Sequence, residues 1–309
     1  MKEHGSKKAI LAACAANFGI MVIKAIVALI SGSSAMFAEA IHSGADMGNQ
    51  LLLLVGMKRS AKAPDKQHPF GYGKEQYFWA FLVAVVLFIL GAAFSLYEGI
   101  HKIMHPEAIK HPLYVFIVLG VSIVLEGGSF FVAFKEFTKT NKGNILSNIK
   151  RSKDSNIVVV LVEDTAALLG LITAFVGVSI ALLTGMPIFD SMASIIIGLI
   201  LGVVAIFLAN EMRTLLIGEG ATDETVEKIR SIVSSKESVE KVGKILTMHL
   251  GPEEILTAID VDFKDAINVC SLETIIDEIK KEIRREIPSV RRIYIEAETL
   301  KRYCADSDS

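Results

Sequence analysis

Residues 34–57 read SAMFAEAIHSGADMGNQLLLLVGM and combine the length of a membrane span with a regular pattern of polar side chains. It is long enough to cross the hydrocarbon core of a bilayer, which is about 30 Å thick and needs roughly 20 helical residues. Its polar side chains recur at steps of three, four and three and share one helical face: Glu39, His42, Asp46 and Asn49. Because an ionisable side chain is costly inside a membrane, this stripe predicts a functional site.

The rest of the chain contains further stretches of the same length and apolar character. Of its 309 residues, 52% are hydrophobic and only 21% are charged, an apolar excess that soluble globular domains rarely carry. The composition, with only three cysteines, excludes a disordered protein, a collagen-like fibre and a secreted disulfide scaffold. Lipid offers no hydrogen-bond partner to an open strand, so each span must be a helix. We place spans at 9–30, 34–57, 76–100, 113–137, 157–184 and 188–210. The sequence therefore predicts an all-α transmembrane bundle of six helices, with the lipid bilayer as its surroundings.

Lysine and arginine residues are concentrated in alternate segments outside these spans. They cluster before the first span, between spans two and three, and between spans four and five, whereas the intervening segments carry few or none. Positively charged loops face the cytoplasm, so both the N- and the C-terminus are predicted to be cytoplasmic. We expect an integral, multi-pass protein, in the plasma membrane of a prokaryote.

The chain changes character after the last span. Thr222 is placed to cap a first helix and Ser271 to cap a second, longer one, and alternating apolar residues between and after them predict three short strands. The order αββαβ is typical of a small ferredoxin-like α+β domain on the cytoplasmic side. We expect a transmembrane domain at 1–217, this cytoplasmic domain at 218–300 and a tail at 301–309.

Two other spans carry acidic residues. Glu126 lies in span four, and Glu163 and Asp164 are adjacent in span five. Asp46 lies 12 residues before Lys58 (58 − 46) and Asp164 lies 11 residues after Lys153 (164 − 153), so both sit about 16–18 Å from the cytoplasmic ends of their helices. Carboxylates at one depth in a low-dielectric bundle cannot all stay charged without a cation or protons.

The spacing of His42 and Asp46 suits a metal. Imidazole and carboxylate at positions i and i+4 form half of a site for zinc or another first-row metal. The alternative is that His42 and Asp46 bond each other or serine hydroxyls and simply hold helices together. For Glu126, a packing role as a protonated or hydrogen-bonded side chain is an equally good interpretation.

Several motifs together resemble the cation diffusion facilitator family. They are Asn17, the run Gly32-Ser33-Ser34-Ala35 that leads to His42-Ser-Gly-Ala-Asp46, the loop His68-Pro-Phe-Gly-Tyr-Gly-Lys74, and Asp164 followed by Gly170. The resemblance implies a proton-coupled exporter of divalent metal ions that works as a homodimer. The pair Glu163-Asp164 is similar to a branch of the family related to animal mitochondrial zinc transporters.

The resemblance also assigns roles to residues. It implies metal ligands at His42, Asp46 and Asp164, with Val160 standing where the family usually has a histidine. Glu163 is the nearest substitute for that histidine, and Glu126 or a water is the other option. Accessory or proton-coupling roles fall to three further residues: Glu126, Glu39 and Asn17.

A second family site in the loop between spans two and three uses one aspartate and two histidines. Asp65 and His68 match it, but Tyr72 replaces the last histidine, so at most a weak site is expected there.

These assignments predict alternating access around one buried site. Loading from the cytoplasm releases protons from the ligands, and protons from the far side expel the metal. We expect zinc first, because the predicted ligand set retains an imidazole. Manganese, iron or cobalt are other transported cations, because that set has only one imidazole. A membrane metal sensor or scaffold that does not transport is the alternative. An intramembrane metalloenzyme is disfavoured because no HExxH motif accompanies the ligands, and no basic patch points to nucleic acid.

Overall fold

A computed structural model describes residues 18–140 and 155–298 of the chain. The described residues belong to two compact units. The first unit runs up to Lys58 and resumes from Gln76 to Arg213, and the second combines Arg59–Glu75 with the residues from Thr214 onward. The loop between the second and third helices therefore folds with the C-terminal part of the chain.

Long helices make up the first unit. Their bounds are α1 Phe18–Ser31, α2 Ser34–Ser60, α3 Glu75–Met104, α4 Pro112–Thr140, α5 Ser155–Thr184 and α6 Ile188–Ile217. Among the described residues, α3, α4, α5 and α6 are long and apolar enough to cross a membrane. Helix α2 has 27 residues, but its polar stripe lowers its hydropathy. The predicted helical membrane domain is confirmed, and the count of six spans stays a prediction.

Helix α6 extends beyond its predicted end at residue 210. The last span is predicted at 188–210, yet the helix continues through the polar residues Glu211 and Arg213 to Ile217. Met212 and Leu215 are buried, so one apolar face continues past the polar residues. Helical periodicity explains the difference, because polar side chains on the opposite face do not interrupt a helix.

Helices α3 and α6 approach each other closely at glycines. A Cβ atom added to Gly99 would lie 2.8 Å from the carbonyl oxygen of Ser191, and one added to Gly198 would lie 2.8 Å from the side chain of Leu96. Small residues at such crossings let two membrane helices pack backbone to backbone. Helix α3 also contains a π-helical segment, Leu87–Ala93.

A carboxylate from α6 fixes the start of α2. Asp190 accepts hydrogen bonds from the Ser33 hydroxyl (2.6 Å), from the backbone amide and hydroxyl of Ser34 (2.6 and 3.0 Å) and from the backbone amide of Ala35 (3.3 Å). Gly32, with φ of +68°, makes the turn that precedes these residues. A buried acid thus satisfies the amide groups left free at a helix N-terminus, and it sets where the polar stripe of α2 begins.

The second unit has the predicted order αββαβ. Its elements are α7 Asp223–Ser234, β1 Val239–Gly251, β2 Glu254–Phe263, α8 Val269–Glu286 and β3 Val290–Ala297. The sheet order is β1-β2-β3, antiparallel between the first two strands and parallel between the last two. Apolar side chains from both helices and the sheet form its core, including Ile229, Val233, Ile259, Ile279 and Ile283. The predicted small α+β domain is confirmed.

One of the two predicted helix caps is wrong. Thr222 caps α7 as expected, since its hydroxyl accepts from the amide of Thr225. Helix α8, however, begins at Val269, and its cap is Asn268, whose side-chain oxygen accepts from the amide of Ser271 at 2.9 Å. Asparagine caps helices as well as serine does, and the helix begins three residues earlier than a cap at Ser271 would place it.

Candidate metal centre

A cavity of about 130 Å³ lies within the first unit and is lined by four acidic side chains. Asp46 comes from α2, Glu126 from α4, and Glu163 and Asp164 from α5. We call this space the carboxylate cavity. Its other lining residues are Ile20, Ser43, Gln50, Leu53, Leu125, Ser129, Val160 and Ala167.

The predicted pair on α5 lies on the wall of the carboxylate cavity. Adjacent helical residues point about 100° apart, yet both Glu163 and Asp164 line the space, which therefore lies between their two directions. Glu163 is buried and accepts a hydrogen bond of 2.6 Å from the amide of Asn49. Asp164 lies 3.5 Å from the hydroxyl of Ser129. Their distances from the flanking lysines predict Asp46 and Asp164 at the same depth in the membrane, and both line this cavity.

His42 lies beside Asp46 but not on the cavity wall. Its Nδ1 atom is 3.6 Å from Oδ1 of Asp46, and its side chain is 1% exposed. In the parts of the chain that the structure describes, no three His, Cys, Asp or Glu side chains converge as a complete metal site.

Lys24 is a buried cation in α1 that was not among the residues predicted from the sequence. Its side chain is fully buried, and its ammonium lies 2.9 Å from Oε1 of Glu126, 3.2 Å from Oε2 of Glu39 and 2.9 Å from the hydroxyl of Ser43. Glu126 is thus ion-paired, whereas a packing role had seemed equally good from the sequence. The cost of charge in lipid was the signal that would have found Lys24. Asn17 lies outside the described residues.

Several buried polar atoms of the first unit have no hydrogen-bond partner among the described residues. They are Oε1 of Glu39, both ring nitrogens of His42, Oδ1 of Asp46, Oδ1 of Asn49 and Oε2 of Glu126. An unpaired buried polar atom is costly. The carboxylate and amide oxygens in this set can only accept, and a neutral His42 ring contributes one further acceptor nitrogen. Carboxylate and imidazole acceptors in one place suit a divalent cation.

Gly170 has a steric reason to be glycine. A Cβ atom at this position in α5 would lie 2.6 Å from Oε1 of Glu39. Glu39 is fully buried and held by Lys24, so it has little freedom to move away. The glycine six residues after Asp164 therefore gives room to the acidic side chain of α2.

The loop residues Asp65 and His68 lie in the second unit and are about half exposed. Oδ1 of Asp65 accepts from the backbone amides of Gln67 (2.9 Å) and His68 (2.8 Å), and Oδ2 accepts from the hydroxyl of Tyr72 at 2.6 Å. These hydrogen bonds, above all the one from Tyr72, lower the pKa of Asp65, and the same bond raises the pKa of Tyr72. The carboxylate holds a turn together, and the weak metal site stays a prediction.

The same loop packs on the sheet of the second unit. The guanidinium of Arg292 on β3 lies 5.4 Å above the ring of Phe70 and donates to its carbonyl oxygen at 3.4 Å. Arg292 is itself held by Glu254 at 2.8 Å. Gly73 lies directly against the backbone of Leu250, where a side chain would not fit. Phe70 and Gly73 of the quoted loop motif thus have structural roles.

Known proteins share both parts of this architecture. A family model for the cation efflux transmembrane domain matches residues 10–217. A second model, for the cytoplasmic domain of cation efflux proteins, matches residues 221–300.

Individual relatives align over most of the chain. A mitochondrial proton-coupled zinc antiporter of Xenopus laevis is 32% identical over 290 residues, which are 92% of this chain and 52% of that protein. Metal tolerance protein C4 of Arabidopsis thaliana is 32% identical over 85% of this chain and 58% of its own length. The manganese efflux system protein MneP of Bacillus subtilis is 25% identical over 95% of this chain and 96% of its own length. The chain thus spans little more than half of the first two relatives. By both of its domains, it belongs to the cation efflux family.

Proposed function

We propose that this protein carries divalent metal cations out of the cytoplasm in exchange for protons, as a transporter and not as an enzyme. The observation that carries the proposal is the carboxylate cavity, where acidic side chains from α2, α4 and α5 face one space. Four acidic side chains that face one space attract a divalent cation more strongly than any monovalent one, because the Coulomb energy grows with the charge of the ion.

The ligand set comprises Asp46, Asp164 and Glu163, with His42 reaching the ion from beside Asp46. Zinc accepts both carboxylate oxygen and imidazole nitrogen, so we place it first. The same oxygen-rich set accepts manganese, iron or cobalt. The zinc antiporter of Xenopus and the manganese efflux protein of Bacillus, as their names describe them, support this range of cargo.

Proton exchange follows from the chemistry of the ligands. A carboxylate or imidazole must lose its proton before it binds a metal, so loading releases protons and protonation from the other side releases the metal. The described acids lie on helices α2, α4 and α5, and a change in how these helices pack switches the opening of the cavity. We further propose a homodimer with both termini in the cytoplasm, in the plasma membrane of a prokaryote.

Transport by reconstituted protein tests the proposal. We expect Asp46→Asn and Asp164→Asn each to lower zinc-driven proton flux in proteoliposomes by about 100-fold, because each replaces a negatively charged ligand of the ion by a neutral amide. Glu107→Gln, which changes an exposed acid paired with Lys102, serves as the matched control and retains the flux. Wild-type flux in both cavity variants would contradict the proposal and favour a metal sensor or scaffold that does not transport.

A further inference from the structure

The ammonium of Lys24 has the surroundings of a bound metal ion. It contacts three oxygen atoms, from Glu39, Glu126 and Ser43, at 2.9–3.2 Å. Two carboxylates and a hydroxyl form the oxygen-rich donor set that divalent cations prefer. We propose that Glu39, Glu126 and Ser43 form a second cation station, which Lys24 fills in this conformation and which the transported ion occupies in passing. This proposal rests on the proposed function.

The second cation station continues the carboxylate cavity. Ser43 and Glu126 contact the ammonium of Lys24 and also line the cavity, so the two places share a wall. Glu39 precedes Asp46 by seven residues (46 − 39), which is about 10 Å along α2. The station is therefore displaced towards the N-terminal end of α2, away from Lys58. In the proposed orientation, this is the direction of export.

Unpaired acceptors provide further coordination at the station. Oε1 of Glu39, Oε2 of Glu126 and both ring nitrogens of His42 lack hydrogen-bond partners among residues 18–140 and 155–298. Glu39 is fully buried and His42 is 1% exposed, so water does not satisfy them freely. A lysine has three donors and uses them on Glu39, Glu126 and Ser43. A metal ion in place of the ammonium could also bind the unpaired carboxylate oxygens of Glu39 and Glu126 and one nitrogen of a neutral His42 ring.

Charge balance explains why a lysine occupies the station. If the ammonium withdrew alone, the buried Glu39 and the half-buried Glu126 would remain as two uncompensated charges, which is strongly unfavourable. Lys24 therefore leaves only when another cation arrives, and it returns when that ion departs. The tethered charge also keeps a second metal ion from entering the station while the cavity is loaded. The transporter therefore holds one metal ion at a time.

Metal stoichiometry tests this inference. Equilibrium dialysis of the purified full chain against radioactive Zn²⁺ should show an Asp46-dependent ion in the wild type. Lys24→Met removes the charge at similar length, and we expect it to bind one ion more per chain than the wild type. Lys24→Arg, the matched control, retains the cation and should bind no extra ion, and Lys24→Met combined with Glu39→Gln should lose the extra ion.

The outcomes separate the two proposals. If zinc binding by the wild type does not depend on Asp46, the proposed function fails and the station fails with it. If that dependence is present and Lys24→Met binds no extra ion, only the station is overturned.

A second variant covers the case in which Lys24→Met does not fold. Glu39 lies off the cavity wall, so Glu39→Gln should keep zinc affinity within about threefold and lower transport at least about tenfold, because the passing ion loses a ligand. Transport by Glu39→Gln at the wild-type rate overturns the inference.

Discussion

Lys24 shows how a single buried charge depends on its neighbours. Its ammonium is fully buried, which is tolerable only because two carboxylates and a hydroxyl contact it. Each acid of the stripe on α2 has a comparable arrangement: Glu39 faces Lys24, and Asp46 faces His42 and the carboxylate cavity. Polar side chains inside the first unit therefore act as a set, and a change at one affects the rest.

Adding a single methyl group at Gly170 tests whether these buried polar side chains depend on each other. We expect Gly170→Ala to push Glu39 away from Lys24, because the added Cβ would lie 2.6 Å from Oε1 of Glu39. Overpacking of this kind costs about 1–3 kcal/mol, so the melting temperature and the zinc flux should both fall. Gly120→Ala is the matched control, since a Cβ there meets nothing within 4 Å. Equal effects from both changes would refute the steric explanation.

Tyr72 controls the ionisation of Asp65 in the exposed loop. Its hydroxyl donates to the charged form of the carboxyl and holds the pKa of Asp65 below its usual range. Stability from a lowered carboxyl pKa is present above the ordinary aspartate range and is lost as the pH falls through the lowered value.

We therefore expect Tyr72→Phe to raise the pKa of Asp65 and to move the loss of the turn to higher pH. NMR titration of ¹³C-labelled aspartate measures this shift, with Tyr114→Phe as the control. An unchanged pKa would show that the amide donors from Gln67 and His68 suffice.

At the scale of helices, α2 is positioned by a residue from another helix. Asp190 in the first turn of α6 accepts four hydrogen bonds from Ser33, Ser34 and Ala35. The run Ser33-Ser34-Ala35 is thus the partner of a buried carboxylate. Because α2 carries Asp46, this junction sets the depth of the acidic stripe.

Asp190→Asn tests the role of this junction. An amide has one acceptor oxygen and no charge, so two of the bonds are weakened or lost, at a cost of about 2–3 kcal/mol for bonds to a charged group. We expect a lower melting temperature for the purified protein, with zinc affinity per folded molecule nearly unchanged. Glu107→Gln again controls for the loss of an acid outside the junction. A melting temperature equal to that of the wild type would exclude the capping role.

At the scale of the whole molecule, chain order and structural units do not coincide. The loop Arg59–Glu75 connects two helices of the first unit, yet it folds with the second unit. Phe70 contacts Arg292, and Gly73 contacts Leu250. The second unit is therefore completed by a segment from the first half of the chain.

Arg292→Ala should release this loop. We expect faster amide hydrogen exchange over residues 64–74, because the side chain loses its contact with Phe70 and leaves Glu254 without its ion pair. The neighbouring Arg291→Ala, which changes a more exposed arginine on the same strand, is the matched control and should leave the exchange unchanged. Protection that survives Arg292→Ala would assign the packing of the loop to Gly73 alone.

The sequence by itself determined the helical membrane domain, the αββαβ unit and the acidic stripe of α2. Local rules are sufficient for these, because hydrophobic length, helical period and turn residues act over a few neighbouring positions. The stripe was evident since Glu39, His42 and Asp46 belong to one helix. The cap at Asn268 was missed for a local reason, because two good capping residues lie three positions apart.

Only the tertiary structure decided which charges meet. Lys24 pairs with Glu126 across 102 positions in the chain, and Asp190 meets Ser34 across 156. Whether a buried acid faces a lysine, a histidine or an open cavity depends on how helices rotate and pack against each other, which no local pattern encodes. Electrostatic energy in a low-dielectric interior is dominated by such nearest neighbours, and so the function of each acid follows from the fold as a whole.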